Sequence, residues 1–442
     1  MSGVSETAGP GEGAGGGMPQ DGFERSGRMR WLVRGVCLVA AVAALLAPRG
    51  TRSALWVPAL SPWVAAASLL ATRTLRGSAV VGLLVGAIAL VSRRWFCRWA
   101  CPSGLCADAA GRLGRRLGCR CRRVPPLGPW IAVATLAGAC LGYPLLLWLD
   151  PLAIFSGFVN ACGSYAGPAA WWCAVGLPAV LLVSVLLPGA WCARICPLGA
   201  VQDLVFRLGG PDNLLSGCRR HKRFPQEPRD AARPGPTSCP GHPAVRDAGV
   251  HRTGRRLIVG AAAGMLWAAA TRHFRSTVAC PLRPPGAIDP WNFVGACTRC
   301  GNCIRACPAR ILGPDLAARD VAGILAPVLR FQQDYCREGC TRCMDVCPSG
   351  ALRQLSAAGK RRQPIGLPRV NMSVCLLGDD RECAVCRNCC PLDAITLVFS
   401  PADYVLTPRI DPQKCSGCGA CECACPTSPR KAIVVEPAAP ER

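Results

Sequence analysis

Histidine is almost missing from this chain: four in 442 residues, His221, His242, His251 and His273, all outside the four longest apolar runs. No Cys-x-x-Cys-His occurs. Without paired histidines in apolar segments there is no bis-histidine haem site, and without that pentapeptide no covalent haem attachment. A Gly-rich dinucleotide fingerprint is also missing, which removes direct nicotinamide or flavin chemistry. No hydrolase or oxygenase constellation is present. Acidic residues are scarce, 26 against 51 Lys and Arg, for a net charge of +25. That excess does not form one basic face; the arginines crowd the segments between apolar runs, so nucleic acid is not an expected partner.

What is abundant is apolar surface and sulfur. Hydrophobic residues make up 51% of the chain and there are 32 cysteines. Disulfide-stapled secreted domains are the other cysteine-dense class, but they are small and lack long apolar runs. Here cysteines recur at metal-ligand spacing with proline after the last of each set, which favours metal over disulfides.

Residues 1–27 are Gly-, Ser- and acid-rich without periodicity and read as a disordered tail. Trp31–Ala47, Ser78–Ser92, Trp130–Leu149 and Ala169–Leu187 read as membrane spans. Nine arginines lie in 93–128 and twelve Lys/Arg in 189–256, against none in 150–168. The rich loops are therefore expected inside and the empty one outside. That parity makes Ala54–Ala71, with Pro58 and Pro62, a re-entrant or interfacial segment on the outer side. Residues 28–201 form the expected membrane module and 202–254 a Pro/Arg-rich cytoplasmic linker. Residues 255–272 open on Arg255-Arg256 and resemble a twin-arginine signal or anchor helix, leaving 273–442 outside. The expected fold is an α-helical membrane bundle of four to six apolar segments, followed by a small α+β domain.

Four cysteine sets fill that last domain: Cys297, Cys300, Cys303, Cys307; Cys336, Cys340, Cys343, Cys347; Cys375, Cys383, Cys386, Cys390; and Cys415, Cys418, Cys421, Cys425. Each fourth cysteine precedes a proline, and the first and last sets match C-x2-C-x2-C-x3-C-P, the run of two-cluster bacterial ferredoxins. Two-residue gaps let a tight loop present three thiolates to one cubane; the fourth starts the next element and serves the neighbouring cube. Cys297 to Cys347 and Cys375 to Cys425 are each 50 positions, a duplicated two-cluster unit. By the ferredoxin pattern, Cys347 completes the first set, Cys307 the second, Cys425 the third and Cys390 the fourth. Cys389 and Cys423, beside the ligands, read as packed thiols, though Cys389 could replace Cys390.

The membrane half carries Cys97-x3-Cys101-Pro102 and Cys192-x3-Cys196-Pro197, both on the expected inner face. Together they supply four thiolates, enough for one further iron–sulfur cluster; Cys106, Cys119 and Cys121 leave a second open. Asp150-Pro151-Leu152 closes a span at the expected outer interface, where a carboxylate could take a proton from a quinol or merely end a helix.

These motifs resemble a known pair of proteins. The membrane half, with its two Cys-x3-Cys-Pro motifs, Leu60-Ser61-Pro62 and Asp150-Pro151-Leu152, resembles the NapH/MauN-type membrane ferredoxins. The remainder, from the twin arginine through Arg283-Pro284-Pro285-Gly286-Ala287 to Cys425-Pro426-Thr427, resembles the NapG/MauM-type periplasmic ferredoxins. The resemblance implies a fusion of two quinol-dehydrogenase components in the bacterial inner membrane. Its implied cofactors are four 4Fe–4S clusters in the C-terminal domain and a further one or two at the membrane motifs. Its implied partners are the membrane quinol and a periplasmic oxidoreductase or electron carrier. A maturation or repair factor, supplying electrons during assembly of a redox enzyme, is the alternative. In either case the chain is an electron-transfer component and not a stand-alone enzyme.

Overall fold

The computed structural model describes residues 21–48, 51–119, 124–163, 168–209, 250–274, 281–316, 323–379, 381–401 and 404–437. The expected disordered tail falls almost wholly outside these residues, as do Cys121 and most of the expected linker.

The first half is helical. α1 (Asp21–Leu46) is followed by α2 (Ser53–Ala59) and α3 (Pro62–Thr72), which meet at 94°. Pro62 at the first turn of α3 and the Ser61 hydroxyl, which accepts from the Val64 amide at 3.3 Å, fix that break. α4 (Gly77–Val91), the short α5 (Trp95–Trp99) and α6 (Pro102–Arg116) follow. The pattern then recurs. α7 (Gly128–Cys140) leads to a 3₁₀ turn at Leu147–Leu149, then to α8 (Pro151–Cys162), α9 (Gly176–Leu186), a π turn at Trp191–Ile195 and α10 (Pro197–Gly209). Ser61-Pro62 and Asp150-Pro151 thus open equivalent helices, as do Cys101-Pro102 and Cys196-Pro197.

Several elements differ from the sequence reading. The run 130–149 is no single helix: α7 stops at Cys140, and the chain turns back through the 3₁₀ segment into α8. The run 169–187 is helical as α9 only from Gly176. α10 continues to Gly209, inside the stretch expected as linker. Among the described residues one helix, 28–46, is long and apolar enough to cross a membrane by itself; α4, α7, α8 and α9 are 15, 13, 12 and 11 residues long. Alternating proline-started helices with turns divides each apolar run, a partition that hydropathy averages over.

Helix packing relies on missing side chains. A Cβ on Gly114 of α6 would lie 2.0 Å from the Val185 carbonyl oxygen of α9. A Cβ on Gly264, in the helix Val250–Phe274, would lie 2.2 Å from the Ala134 oxygen of α7.

The second half has short elements. Antiparallel pairs join β1 (Leu312–Pro314) to β2 (Pro327–Leu329), β3 (Leu367–Val370) to β6 (Ile433–Glu436), and β4 (Ile395–Ser400) to β5 (Val405–Ile410). β3 pairs with the last strand, Leu367 opposite Glu436, and so closes the second cysteine unit on itself. Phe293, Phe331, Met344 and Leu352 are the largest fully buried side chains of this half, and buried cysteines pack among them.

The two halves meet through buried hydrogen bonds. Asn302 Nδ2 donates to the Ala54 oxygen at the start of α2 at 2.8 Å, and Ser68 Oγ of α3 donates to the Ser349 oxygen at 2.6 Å. Both helices of the bent α2–α3 pair therefore contact the same domain. α8 repeats the motif: its N-terminus lies at the Ser61 contact and its far end, through Asn160, at Cys300.

Candidate metal centres

In the second half the cysteines gather by fours around shared cavities. Cys297, Cys300, Cys303 and Cys347 line one; Cys307, Cys336, Cys340 and Cys343 a second; Cys375, Cys383, Cys386 and Cys425 a third. In each case the structure brings a crossed cysteine to three from the other set. Cys390 lies within electrostatic reach of Cys415 and Cys418. Cys389 lies in the same reach of Cys421 and Cys418, with its Sγ 3.5 Å from the Ala420 oxygen, so both adjacent cysteines face the fourth set.

The local backbone shows why these loops suit sulfur ligands. In the first set the amides of Arg299 and Asn302 donate to Cys297 and Cys300. In the fourth, those of Gly417 and Ala420 donate to Cys415 and Cys418. The same positions turn left-handed in both: Arg299 (φ 57°) and Gly301 (φ 73°), Gly417 (φ 68°) and Gly419 (φ 81°). Amides aimed at thiolate sulfur orient the ligands of iron–sulfur sites and offset their negative charge.

Burial pushes the Cys300 thiol up to about 12, with the Cys297 and Cys347 sulfurs adding to the rise. It pushes Cys386 up to about 11, with Cys383 and Cys375 alongside. Crowded, desolvated thiols resist ionising unless a cation joins them, and metal binding supplies it with release of the protons. Cys425 moves down instead: burial acts against it, but hydrogen bonds from Thr427 and the Ala432 and Ile433 amides outweigh that cost. Among the described residues no three His, Cys, Asp or Glu side chains converge as ligands of a single ion would. A cubane puts each thiolate on a separate iron, so this donor set fits a cluster better than zinc.

The four sets form a continuous series. The first two interlock through Cys307 and Cys347, and the last two through Cys390 and Cys425. The two units join where the Cys336 amide donates to the Cys418 oxygen at 2.9 Å. Phe331 packs against Gly419 at the same junction, so closely that any Cβ there would lie 2.2 Å from the ring.

In the helical half Cys97, Cys101, Cys192 and Cys196 line a single cavity of about 430 Å³. Arg30, Arg34, Arg94, Arg98, Arg112 and Arg115 line it with them. Cys101 caps α6, its sulfur accepting from the Gly104 amide at 3.3 Å, and Gln202 Nε2 donates to Cys97 at 3.2 Å. Arg94 is held by Asp203 at 2.6 Å and Arg34 by Asp108 at 2.7 Å. Cys106 on α6 and Cys119 do not line this cavity.

Asp150 is not at an accessible interface. It is fully buried, accepts from the Leu152 and Ala153 amides at 3.1 and 3.0 Å as the cap of α8, and accepts from Ser61 Oγ at 2.6 Å. α8 itself connects the two kinds of site. Pro151 lines the cavity of the helical half, while Asn160 Nδ2 donates to the Cys300 oxygen at 2.9 Å and the Asn302 Oδ1 at 2.7 Å. Twelve residues of helix, about 18 Å, thus link the thiols of the helical half to the first set of the second half. Composition marked 150–168 only as an expected outer loop without Lys or Arg; a lone Asn in so apolar a stretch was the available signal. Cys173, which has no recognisable spacing, packs beside Cys297.

Paired cysteine quartets with converging amides define a protein of the 4Fe–4S-binding class. The 4Fe-4S dicluster domain family matches residues 296–351, and 4Fe-4S binding domain families match 408–430 and, twice in the helical half, 74–120 and 169–213. The chain is 34% identical over 182 residues to the methylamine utilization ferredoxin-type protein MauM of Methylobacillus flagellatus, covering 39% of this chain and 75% of the relative. It is 35% identical to the ferredoxin-type protein NapG of Haemophilus influenzae over 33% of this chain and 55% of the relative. To the ferredoxin-type protein NapF of Escherichia coli it is 31% identical, over 33% and 81%. The chain therefore belongs to the MauM ferredoxin-type family, a relationship carried by 39% of its length. No solved structure matches it.

Proposed function

We propose that the chain is a membrane-embedded electron carrier of the quinol-dehydrogenase type, passing electrons from quinol to a periplasmic oxidoreductase. The observation that carries this reading is the continuous series of thiol sets, beginning at a buried contact with the helical half. Bound in these sites, 4Fe–4S clusters supply reversible one-electron transfer. The chain's own residues hold and space them: Cys297, Cys300, Cys303 and Cys347; Cys307, Cys336, Cys340 and Cys343; Cys415, Cys418, Cys421 and Cys390; Cys375, Cys383, Cys386 and Cys425. Cys97, Cys101, Cys192 and Cys196 hold a further cluster on the inner side, where the surrounding arginines offset its negative charge.

The membrane placement is supported by where apolar side chains point. Leu32, Val36 and Val39 of α1, Leu84 and Val91 of α4, Leu182 and Leu186 of α9, and Ile258, Leu266 and Trp267 of the helix Val250–Phe274 are all exposed. Apolar surface spread over so many neighbouring helices is uncharacteristic of a soluble monomer. α4, at about 22 Å, is shorter than a ~30 Å hydrocarbon core, so the bilayer thins around it or flanking residues snorkel to the interface. The inner thiols then face the cytoplasm and the ferredoxin half the periplasm.

Asp150 is better explained as the cap that locks α8 against Ser61 than as an acceptor of quinol protons, since every carboxylate contact is internal. Anaerobic titration of the membrane-bound protein with a quinol analogue, followed by EPR, tests the functional reading. Reduction of the clusters with no acceptor present is expected; clusters that stay oxidised would remove the quinol link.

A further inference from the structure

We propose that Lys360 makes the cluster held by Cys307, Cys336, Cys340 and Cys343 the most easily reduced of the four in the ferredoxin half. This rests on the reading that those thiols hold a 4Fe–4S cluster. Ser356 caps the helix Ala357–Arg362, its hydroxyl accepting from the Gly359 amide at 3.1 Å, and so sets Lys360 in the last turn facing the 336–340 loop. Lys360 is 4% exposed, which is rare for lysine. Its ammonium uses all three donors inward: to the Cys336 sulfur at 3.3 Å, the Arg337 oxygen at 2.6 Å and the Cys340 oxygen at 3.0 Å.

No carboxylate among the described residues pairs with it. The two nearest in sequence to its partners are taken: Asp334 by Arg337 at 3.1 Å, and Glu338 by Arg361. A buried ammonium without a counter-charge is strongly destabilising. Among the described residues the group it meets that can carry negative charge is the Cys336 sulfur, so the lysine and a metal-bound, anionic Cys336 belong to one arrangement. Adding an electron makes such a cluster more negative. A fixed cation bonded to a ligand sulfur, screened from water, stabilises that reduced form and raises the potential.

Among the described residues no other lysine donates to a cysteine sulfur. Around Cys297 the charges of Arg299 and Arg283 act through space, and Arg299 donates to its sulfur through the neutral backbone amide. Beside Cys415 lies Asp411, whose charge works in the opposite sense. In the third set Lys431 Nζ donates to the Cys425 backbone oxygen and not to a ligand sulfur. The Lys360 site is also the one whose Cys336 amide joins the two cysteine units.

The test is an EPR-monitored redox titration of the anaerobically purified full-length protein, comparing the wild type with K360Q and K360R. In K360Q the highest of the four midpoints falls while the other three stay in place and iron content is unchanged; K360R keeps the wild-type order. Unmoved midpoints, or all four falling together, would overturn the proposal. A measurement on the wild type decides the case even if K360Q loses iron. With lysine labelled by ¹⁵N at Nζ, pulsed EPR of the first centre to be reduced should show a nitrogen coupling. A first-reduced centre without that coupling overturns the assignment. A protein lacking iron at this set altogether would instead refute the cluster reading beneath it.

Discussion

Replacing Asn160 by alanine should undock the first cysteine set from α8 while leaving the rest of the ferredoxin half folded. The side chain is 4% exposed and donates to both the Cys300 oxygen and the Asn302 Oδ1. Each hydrogen bond contributes about 1 kcal/mol net, and each acceptor left dry and unpaired costs about 1–3 kcal/mol. Asn302 keeps its own bond to Ala54, which limits the damage. The net weakening is therefore about 2–4 kcal/mol, or roughly 30- to 700-fold in the docked-to-undocked ratio, at about 1.4 kcal/mol per factor of ten. Hydrogen exchange read by mass spectrometry under anaerobic conditions reports it directly. Amides in 297–306 should exchange faster by up to that factor, while those of the β3–β6 pair keep their protection. Unchanged exchange at 297–306 would refute the docking argument. Equal acceleration in β3 and β6 would show global unfolding and refute it as well.

Three further outcomes follow from the same contacts. Because the sets interlock, C347S should remove the signal of the set beginning at Cys297, and C307S that of the set beginning at Cys336; EPR of singly substituted proteins that shows the uncrossed pattern would contradict the pairing. D150N retains an oxygen able to cap α8, so stability and quinol-driven reduction should stay within about twofold of wild type, whereas D150A should lose about 1–2 kcal/mol in thermal or denaturant unfolding. Large loss of quinol-driven reduction in a stable D150N would restore a proton-accepting role. G114L places a side chain where the Val185 carbonyl stands and should abolish accumulation of the folded protein in membranes, read by detergent-resistant size-exclusion profiles.

The cysteine chemistry was readable from spacing because a cubane constrains its ligands locally. Two-residue gaps, a following proline and the 50-residue recurrence leave few other uses for thiols so arranged, and the cavities group the same cysteines. The 94° break between α2 and α3 was accessible in part, since Pro58 and Pro62 mark where a continuous helix is interrupted. The second turn-back, from α7 into α8, was not. Its residues are as apolar as a span, and the information lies in tertiary partners, Ser61 for Asp150 and Cys300 for Asn160, that are distant in sequence. Lys360 was invisible for the same reason. Its helix carries Arg361 and Arg362 beside it, and only burial separates the lysine from an ordinary solvated cluster of charge.

The central claim is that thiolate quartets hold iron and sulfide. It is tested most directly by counting iron and acid-labile sulfide in protein purified without oxygen. At about four irons per quartet, the account predicts roughly sixteen in the ferredoxin half and about four more at the inner cavity. A correctly folded, colourless protein containing neither iron nor sulfide would contradict it.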